Sequence, residues 1–468
     1  MKFRHLPVHA AVLMGLSGWA QAQSLVELYD AARGYDATYQ SAKAQMDATL
    51  SKTDQAIAGI LPTVTSTAGV SRSNIVGLSD AWVGTSTSAT TAIPATTYDR
   101  IYGTQTASIT ASQALYRPAN VAAYVQGKRQ REQAYAVLAS AEQDLMVRLS
   151  QAYFDVLASQ DSLTFVKAQK IAVNEQLASA KRNFEVGTAT ITDTREAQAR
   201  YDLVIAQEIA AENDLRVKRM ALDMLVGKKD VAPKPLVTIS ALPTPAPADV
   251  DEWVSQSERV HPAIQKSLLD WEVAKLEVDK AKALHKPTVD LQASYTYSLN
   301  LDGTATSGSG LTTTGLTYVG VQNSHVGIST IGVLVTLPIF SGFSSDNRIK
   351  ETLKLEDKAQ ADLEVAKRSV AQATRSAYFG VVSGLGQVNA LKAAEDSSQL
   401  ALDANKLGYS VGVRINIDVL NSQSQLYQTK RDLAKARYDV LLGNLKLRQS
   451  NGSLKADDLQ IVNNLLAK

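Results

Sequence analysis

Three segments of the chain alternate apolar and polar residues, which is the period of a β-strand with one apolar face. The clearest are 288-TVDLQASYTY-297 and 328-ISTIGVLVTLPIF-340, while 101-IYGTQTASITASQALY-116 is richer in Thr and Ser. The apolar residues that share one face in the two clear segments are Val289, Leu291, Ala293, Tyr295 and Tyr297, and Ile331, Val333, Val335, Leu337 and Ile339. With a further strand region that begins after Pro62, the pattern predicts four strands.

Other stretches follow a period of seven. Residues 119–185 contain one glycine, Gly127, and no proline, and a helix of that length would extend roughly 100 Å. Apolar rows at heptad spacing, which indicate coiled-coil packing, are Leu138, Leu145, Ala152, Val166, Val173 and Ala180 (interrupted by Ser159); Leu149, Val156, Leu163 and Leu177; Leu363, Val370, Ala377 and Leu391; Val381, Val388 and Leu402; and Leu426, Leu433, Val440 and Leu447. The helices alone are equally compatible with a long soluble bundle.

These elements occur twice, 225 residues apart. The tripeptide AYF at 152–154 matches AYF at 377–379, Val186-Gly187 matches Val411-Gly412, and Asp193 matches Asp418. Matches spread over roughly 190 positions at a single offset indicate a tandem duplication. Each copy is predicted to contain a helix (24–59 or 250–285), two strands around a Gly-, Ser- and Thr-rich loop (77–98 or 302–324), and a long helical hairpin.

The duplication predicts the organisation of the chain. Between the copies, 233-PKPLVTISALPTPAPAD-249 holds five prolines, which cannot continue a helix or a central strand. The predicted segments are a signal peptide (1–22), a first repeat (23–230), a Pro-rich linker (231–249), a second repeat (250–455) and a C-terminal tail (456–468).

The N-terminus has the pattern of a secretory signal. Lys2, Arg4 and His5 precede the apolar run 10-AAVLMGLSGWA-20, and small residues at 20-AQA-22 predict cleavage after Ala22. The alternative is an N-terminal membrane anchor, for which the run is too short. We therefore expect the protein to leave the cytoplasm.

Composition removes several classes of function. The chain has no cysteine, which excludes disulfides, thiol catalysis and a lipidated N-terminal cysteine. The five histidines show no ligand spacing, and no nucleophile–base set or phosphate loop is present. We therefore expect no enzyme activity and no metal or other cofactor. A net charge of +2 does not suggest nucleic acid as a partner.

Four strands are too few to stand alone in a membrane. An open sheet edge would leave backbone groups unsatisfied in lipid, and transmembrane barrels need about eight strands or more. Copies of the chain must then share one barrel. A dimer would give eight strands and a filled interior, whereas a trimer would give twelve strands and room for a lumen.

The export signal, the four strands, the duplicated hairpins and two turns in which VG is followed by Asp resemble the TolC family of outer-membrane channel proteins. The turns, 184-FEVGTATITDTREAQARY-201 and 409-YSVGVRINIDVLNSQSQLY-427, are the most specific part of the resemblance, which covers essentially the whole mature chain. It implies an α+β membrane protein: a trimeric 12-stranded β-barrel that continues into a long periplasmic α-helical coiled-coil tunnel. The linker and the tail would belong to a mixed equatorial collar.

The resemblance also implies the setting in which the protein acts. It would be a homotrimer in the outer-membrane lipid of a Gram-negative bacterium, docked through a periplasmic adaptor (membrane fusion) protein onto an inner-membrane ABC or RND-type transporter. Its role would be drug efflux, type I protein secretion or both. The alternatives are a trimeric coiled-coil surface adhesin, a structural outer-membrane protein without a transport role, and a diffusion porin, which would need many more strands per chain.

In the family, the two turns lie at the closed periplasmic entrance of the tunnel. The resemblance assigns gating to Tyr409 and Arg414 in the second turn, with Thr192 and Asp193 in the first turn as their partners. The chemistry fits, since a guanidinium can bridge a hydroxyl and a carboxylate, and a phenol can donate to a carboxylate. Asp418 resembles a member of an acidic ring at the entrance, where three copies would favour cations.

One position departs from the family's pattern. A second Asp of the entrance is replaced here by Asn421, so we expect the entrance to hold cations less strongly. Gly187 and Gly412 mark the tips of the turns, where an adaptor would dock. Each of these assignments has an ordinary structural alternative: helix C-caps for the glycines, helix N-terminal charges for Asp193 and Asp418, and a solvated charge or simple packing for the Arg and Tyr.

Overall fold

The computed structural model describes residues 23–79, 82–86, 89–93, 96–237, 242–308, 317–319 and 324–466. The predicted signal peptide lies outside these residues. The chain divides into two compact units. A helical unit comprises residues up to Asp47, Gln133–Leu268 and residues from Ala361, and a sheet-containing unit comprises Ala48–Glu132 and Leu269–Gln360.

Nine α-helices and seven β-strands occur in the described residues. The helices are α1 (Leu25–Tyr35), α2 (Ala37–Ile57), α3 (Pro118–Glu185), α4 (Ile191–Val226), α5 (Val250–Val260), α6 (Pro262–Lys282), α7 (Ser344–Ser410), α8 (Asn416–Asn451) and α9 (Ala456–Asn463). The strands are β1 (Thr63–Ser79), β2 (Trp82–Ser86), β3 (Ala89–Ile93), β4 (Thr96–Tyr116), β5 (Thr288–Gly308), β6 (Thr317–Val319) and β7 (Ser324–Thr336). Of the helices described, none has the length and apolarity needed to cross a membrane.

Four long strands form the sheet, as predicted. They pair antiparallel in the order β1-β4-β5-β7, and the short β6 pairs with the far end of β5. Strand β7 ends at Thr336 rather than at residue 340 because Pro338 has no N–H to donate to a ladder. The interpretation of 77–98 as a loop was wrong in part, since β2 and β3 form a hairpin there. The second predicted loop, 302–324, was also wrong in part, since its described residues lie in β5, β6 and β7, and the rest of it is outside the described residues.

The alternating pattern is aligned across the strands. Val289 and Leu291 of β5 lie opposite Val335 and Val333 of β7, so the apolar residues of both strands occupy one face. That face is uncovered in the single chain, and Ile331 is 77% exposed. The opposite face is mainly polar, with Gln, Ser and Thr side chains on β4 and β5, and Val326, Ile328 and Leu334 of β7 are its apolar exceptions. An exposed apolar face backed by a polar face is typical of a barrel wall between lipid and an aqueous lumen.

Most residues of the predicted heptad rows are buried, while Leu138, Ala152, Leu163, Ala377 and Leu391 are partly buried. Helix α3 begins at Pro118, where its missing N–H needs no partner. In the helical unit, row residues that are less than a tenth exposed are Leu145, Leu149, Val156, Val166, Val173, Leu177 and Ala180 of α3, Leu363, Val370, Val381, Val388 and Leu402 of α7, and Leu426, Leu433, Val440 and Leu447 of α8. Ser159, the exception in the first row, donates to the carbonyl of Asp155 and to the carboxylate of Asp214.

The linker and the C-terminal tail pack together on the largest apolar core of the helical unit. Leu236 of the linker forms an isolated bridge with Leu466, and the N–H of Val237 donates to the carbonyl of Leu465 at 3.0 Å. Beneath them, the rings of Phe154 (α3) and Tyr438 (α8) stack with centroids 5.8 Å apart. The core therefore contains residues of both repeats, and the linker and the tail, which the resemblance assigned to a collar, pack on it.

The first helix of each repeat is broken, contrary to the prediction of single helices over 24–59 and 250–285. In the first repeat, Asp36 lies between α1 and α2, and its carboxylate accepts the N–H of Tyr39 at 2.8 Å. In the second, His261 lies between α5 and α6, where Pro262 prevents a continuous hydrogen-bond ladder. Asp36 and His261 are 225 residues apart, so the break belongs to the repeat.

The break at Asp36 is held by an ion pair. Asp36 is 7% exposed, and the guanidinium of Arg148 donates to both of its carboxylate oxygens, at 3.1 and 3.0 Å. These bonds lower the pKa of Asp36 below its ordinary value. Because the pKa is depressed by folding, the stability that the pair contributes is present above the unfolded-state pKa and is lost as the pH falls through the folded-state value.

We expect Asp36→Asn to lower the stability of the helical unit at pH 7 by about 1–3 kcal/mol, because the guanidinium of Arg148 loses its charged partner. Thermal unfolding followed by circular dichroism should show a lower Tm than in wild type, and the difference should shrink below about pH 4. Asp30→Asn, an exposed change in α1, serves as the control. A Tm difference that stays constant between pH 7 and pH 3 would contradict the ion-pair explanation.

Candidate functional site

The first turn joins α3 to α4 at a glycine that adopts a left-handed conformation. Gly187 has φ of +76°, which side chains other than glycine adopt at a cost. The N–H of Thr188 donates to the carbonyl of Asn183 at 2.8 Å, so the end of α3 is capped by the backbone of the turn. Gly187 is exposed, which leaves this tip open to a partner.

Helix α4 begins with a complete capping box. The side chain of Thr190 accepts the N–H of Asp193, and the carboxylate of Asp193 accepts the N–H of Thr190 at 2.9 Å and its hydroxyl at 2.8 Å. The carboxylate of Asp193 is therefore engaged by its own turn. Thr192, which lies between Thr190 and Asp193 in the sequence, is exposed at the start of α4.

The second turn joins α7 to α8 with the same backbone and a different start of the helix. Gly412 has φ of +78°, and the N–H of Val413 donates to the carbonyl of Gly408 at 2.8 Å. Ile415 occupies the N-cap position of α8 and supplies no side-chain cap. The first turn of α8 contains Asp418, whose charge is favourable at a helix N-terminus.

Arg414 lies across the end of α7 and faces α8. Its stem packs over Gly408, where an added Cβ would come within 2.7 Å of Arg414 Cγ. Arg414 Nη1 is 3.6 Å from Asp418 Oδ2. An exposed ion pair of this kind contributes about 0.3–0.5 kcal/mol. The pair partly offsets the negative charge that Asp418 presents at the turn.

Tyr409 connects the second hairpin to the first. Its hydroxyl accepts a hydrogen bond from Asn183 Nδ2 at 3.2 Å, and its ring packs at the edge of a small core formed by Leu402, Val419 and Leu426. Sequence reasoning assigned Tyr409 to the gate, but did not identify Asn183 as its neighbour.

The structure thus brings some of the predicted residues together and not others. Arg414 faces Asp418, whereas within one chain neither Tyr409 nor Arg414 is hydrogen-bonded to Thr192 or Asp193, all four of which are described. The carboxylate of Asp193 has an alternative partner in its own cap. The capping alternatives for Gly187, Gly412 and Asp193 agree with the geometry.

Two links between the hairpins were missed by sequence reasoning. Asn416, the first residue of α8, hydrogen-bonds both helices of the first hairpin through Gln176 and the carbonyl of Asp193. Arg200 of α4 donates to Asn421 Oδ1 of α8 at 2.7 Å. The available signals were a polar Asn416 beside a buried heptad row and the departure from the family's pattern at Asn421.

A family model described as "Outer membrane efflux protein" matches residues 28–228 and again residues 253–453. The two matches are offset by the same 225 residues as the sequence repeat, so each copy is matched once.

Individual proteins are similar over nearly the whole chain. Outer membrane protein TolC of Escherichia coli (strain K12) is 30% identical over 458 residues, 97% of this chain and 87% of that protein. Proteases secretion protein PrtF of Dickeya chrysanthemi is 28% identical over 464 residues, 97% and 94% of the two chains. The solved structure of the outer membrane protein VceC from Vibrio cholerae matches in fold with a TM-score of 0.71 at 18% identity, covering 92% of this chain and 96% of that one.

We expect Thr190→Ala to loosen the start of α4, because the loss of a side-chain cap costs about 1 kcal/mol, or about fivefold in a local equilibrium. Hydrogen exchange of the amides at the start of α4 should accelerate by about that factor. Thr192→Ala, two residues away and outside the capping box, should leave the same amides unchanged. Equal acceleration in both variants would show that the box does not hold this end of the helix.

Proposed function

Because the chain belongs to the outer membrane efflux protein family, we propose that three copies form one export channel that is gated at the paired helical turns. The chain is an outer-membrane channel protein that extends into the periplasm, and the predicted family and localisation are confirmed. The family consists of transport channels rather than enzymes. Membership also decides against the alternative of a surface adhesin.

The observation that carries the proposed assembly is the sheet with two open edges. Among the described strands, β1 pairs only with β4, and β7 pairs only with β5. The outer edge of each would present unpaired N–H and C=O groups to lipid. Pairing of β7 in one copy with β1 in the next removes both edges, and three copies give twelve strands around a polar lumen.

Exposed apolar rows on the helices support the same assembly. Val365, Phe379, Leu400 and Leu407 of α7 are separated by multiples of seven residues, and they are 57–71% exposed in the single chain. On α4, Leu203, Val217 and Met224 have the same spacing and are also exposed. Both rows have coiled-coil spacing and neither is covered within one chain. In the proposed assembly, the row on α7 of one copy packs against the row on α4 of a neighbouring copy.

The gate is assigned to Thr192, Asp193, Tyr409, Arg414 and Asp418. Two of these make contacts that would break if the hairpins separated: Tyr409 with Asn183, and Asp193, through its carbonyl, with Asn416. Arg414 and Asp418 pair with each other within the second turn. Gly187 and Gly412 are exposed at the tips and are proposed as the docking points of a periplasmic adaptor. Tyr409 and Arg414 are proposed to meet Thr192 and Asp193 of a neighbouring copy.

The proposed cargo and partners follow the family. Substrate would enter from an inner-membrane transporter of the ABC or RND type, through the adaptor, and leave through the barrel. The relatives include both a proteases secretion protein and an outer membrane efflux protein, so drugs and secreted proteins are both proposed as cargo. No cofactor is part of this proposal, since passage through the channel requires only an open lumen.

We expect the wild-type protein to show a small single-channel conductance in planar bilayers, and Tyr409→Phe/Arg414→Ser to raise it clearly. The variant removes the phenol and the guanidinium proposed to hold the turns. Tyr378→Phe/Arg375→Ser makes the same exchanges on α7, far from the turns, and should leave conductance unchanged. If Tyr409→Phe/Arg414→Ser has the same conductance as wild type, these residues do not form the gate. Failure of every variant to conduct would count against the conduit itself.

We expect Leu400→Glu/Leu407→Glu to prevent assembly, because two carboxylates would replace apolar side chains in the proposed contact between copies. Light scattering of the detergent-solubilised protein should change from a trimer to a monomer. Lys406→Glu, an exposed change beside the row, is the matched control and should remain trimeric. A trimer in the double variant would show that this row of α7 faces solvent in the assembly.

A further inference from the structure

The two repeat-related turns differ in how the following helix begins. Thr190 caps α4 with its own side chain, while Ile415, its counterpart 225 residues on, leaves α8 without a side-chain cap. The next pair differs as well: Ile191 is 49% exposed, whereas its counterpart Asn416 is fully buried. The first turn is therefore stabilised by hydrogen bonds among its own residues. In the second turn, the polar side chain of Asn416 is buried and does not cap its own helix.

Asn416 of α8 bonds both helices of the first hairpin. Its Nδ2 donates to the backbone carbonyl of Asp193 in α4 at 3.2 Å, and its Oδ1 accepts from Gln176 Nε2 in α3. The NH2 group of the Asn416 amide thus acts as a donor and its oxygen as an acceptor, and each forms a hydrogen bond with a different helix of the first hairpin. Separation of α8 from the first hairpin would break both bonds at once.

The amide lies at the end of an apolar contact between the same helices. Val173, Leu177 and Ala180 of α3, Ala197 of α4 and Leu420 of α8 form a buried cluster. Apolar packing is tolerant of small shifts, but an amide surrounded by apolar groups is stable only where its partners are placed. Asn416 therefore specifies one position of α8 against the first hairpin.

Two further buried amides occur on α3 and α8. Gln423 of α8 is 2% exposed and Gln169 of α3 is 3% exposed, and in the described structure the Oε1 atom of each has no hydrogen-bond partner. Buried groups without partners gain hydrogen bonds when water reaches them.

We propose that Asn416 is a positioning residue that latches the second hairpin to the first in the closed channel, through Gln176 and the carbonyl of Asp193. This rests on the proposed function, in which the turns form the gate. The latch acts within one copy, and it is distinct from the contacts assigned to Tyr409 and Arg414. Opening would require α8 to leave this position and the amide to exchange its partners for water.

The first test compares Asn416→Ala with Asn405→Ala in the assembled full-length protein. Asn405 Nδ2 donates to Ser422 Oγ, and both of these residues belong to the second hairpin, so the control loses an amide bond without affecting the link to the first. We expect Asn416→Ala to raise the open-to-closed ratio in planar bilayers by about fivefold per hydrogen bond lost. Asn405→Ala should match wild type.

A second readout follows the hairpin contact without using conductance. The chain has no cysteine, so Ala197→Cys, at a fully buried position of the cluster, introduces a single thiol. Its reaction with a maleimide should be slow alone and clearly faster in combination with Asn416→Ala. Combination with Asn405→Ala should leave the rate unchanged.

A pH profile separates the hydrogen bond from simple packing. In Asn416→Asp, a carboxylate cannot donate to the carbonyl of Asp193, whereas the protonated acid can donate there and still accept from Gln176. We expect this variant to be open near neutral pH and to close as the pH falls. The charged groups near the turns, Asp193, Arg200, Arg414 and Asp418, are also present in wild type, whose profile is the reference.

The outcomes distinguish the latch from the gate. If Tyr409→Phe/Arg414→Ser opens the channel while Asn416→Ala changes neither conductance nor labelling, the latch is wrong and the gate stands. If neither variant opens the channel, the gate is elsewhere and the latch fails with it. Opening by Asn416→Ala together with pH-dependent closure of Asn416→Asp would establish the latch.

Discussion

Backbone hydrogen bonds at the edges of one sheet determine much of what this chain must do. The edges of β1 and β7 are open among the described strands, and the apolar face between them is uncovered. Neither condition is stable in lipid for a single copy, because no water is present to satisfy the free N–H and C=O groups. The proposed assembly would therefore be part of folding for this protein. In that assembly, neighbouring copies would also cover the exposed heptad rows of α4 and α7.

Duplication supplied two similar hairpins, and their differences fit the proposed gate. The first turn holds itself through Thr190 and Asp193, while the second begins α8 without a cap and depends on contacts with its neighbour. A gate requires one element that stays and one that can leave. In the proposed gate, the self-capped first hairpin would be the fixed side, and α8, which is bonded to the first hairpin through Asn416, would be the side that moves.

Much of the fold could be predicted because its signals are periodic. Alternation in 288–297 placed a strand with one apolar face, and heptad spacing placed long coiled-coil helices, since both periods reflect local geometry. The break at Asp36 was missed because a single Asp gives no periodic signal, whereas for the second break Pro262 was an available signal that the prediction of one helix over 250–285 did not use. The candidate site was located by its two turns, but the partners of its side chains were not, because Asn183 and Gln176 approach the second hairpin only through tertiary packing.

The sequence by itself determined the repeat, the periods of its strands and helices, and the glycines at which the hairpins reverse. Only the tertiary structure decided what repeat-related residues do. Phe154 is buried in the core of the helical unit, whereas Phe379, in the same AYF tripeptide, is 57% exposed. Ile191 and Asn416 occupy equivalent positions, and only Asn416 is buried against another hairpin. The physical reason is that the period of a helix and the conformation of a turn depend on residues close together in the sequence. The burial of a side chain depends instead on which other elements pack against it in the folded chain.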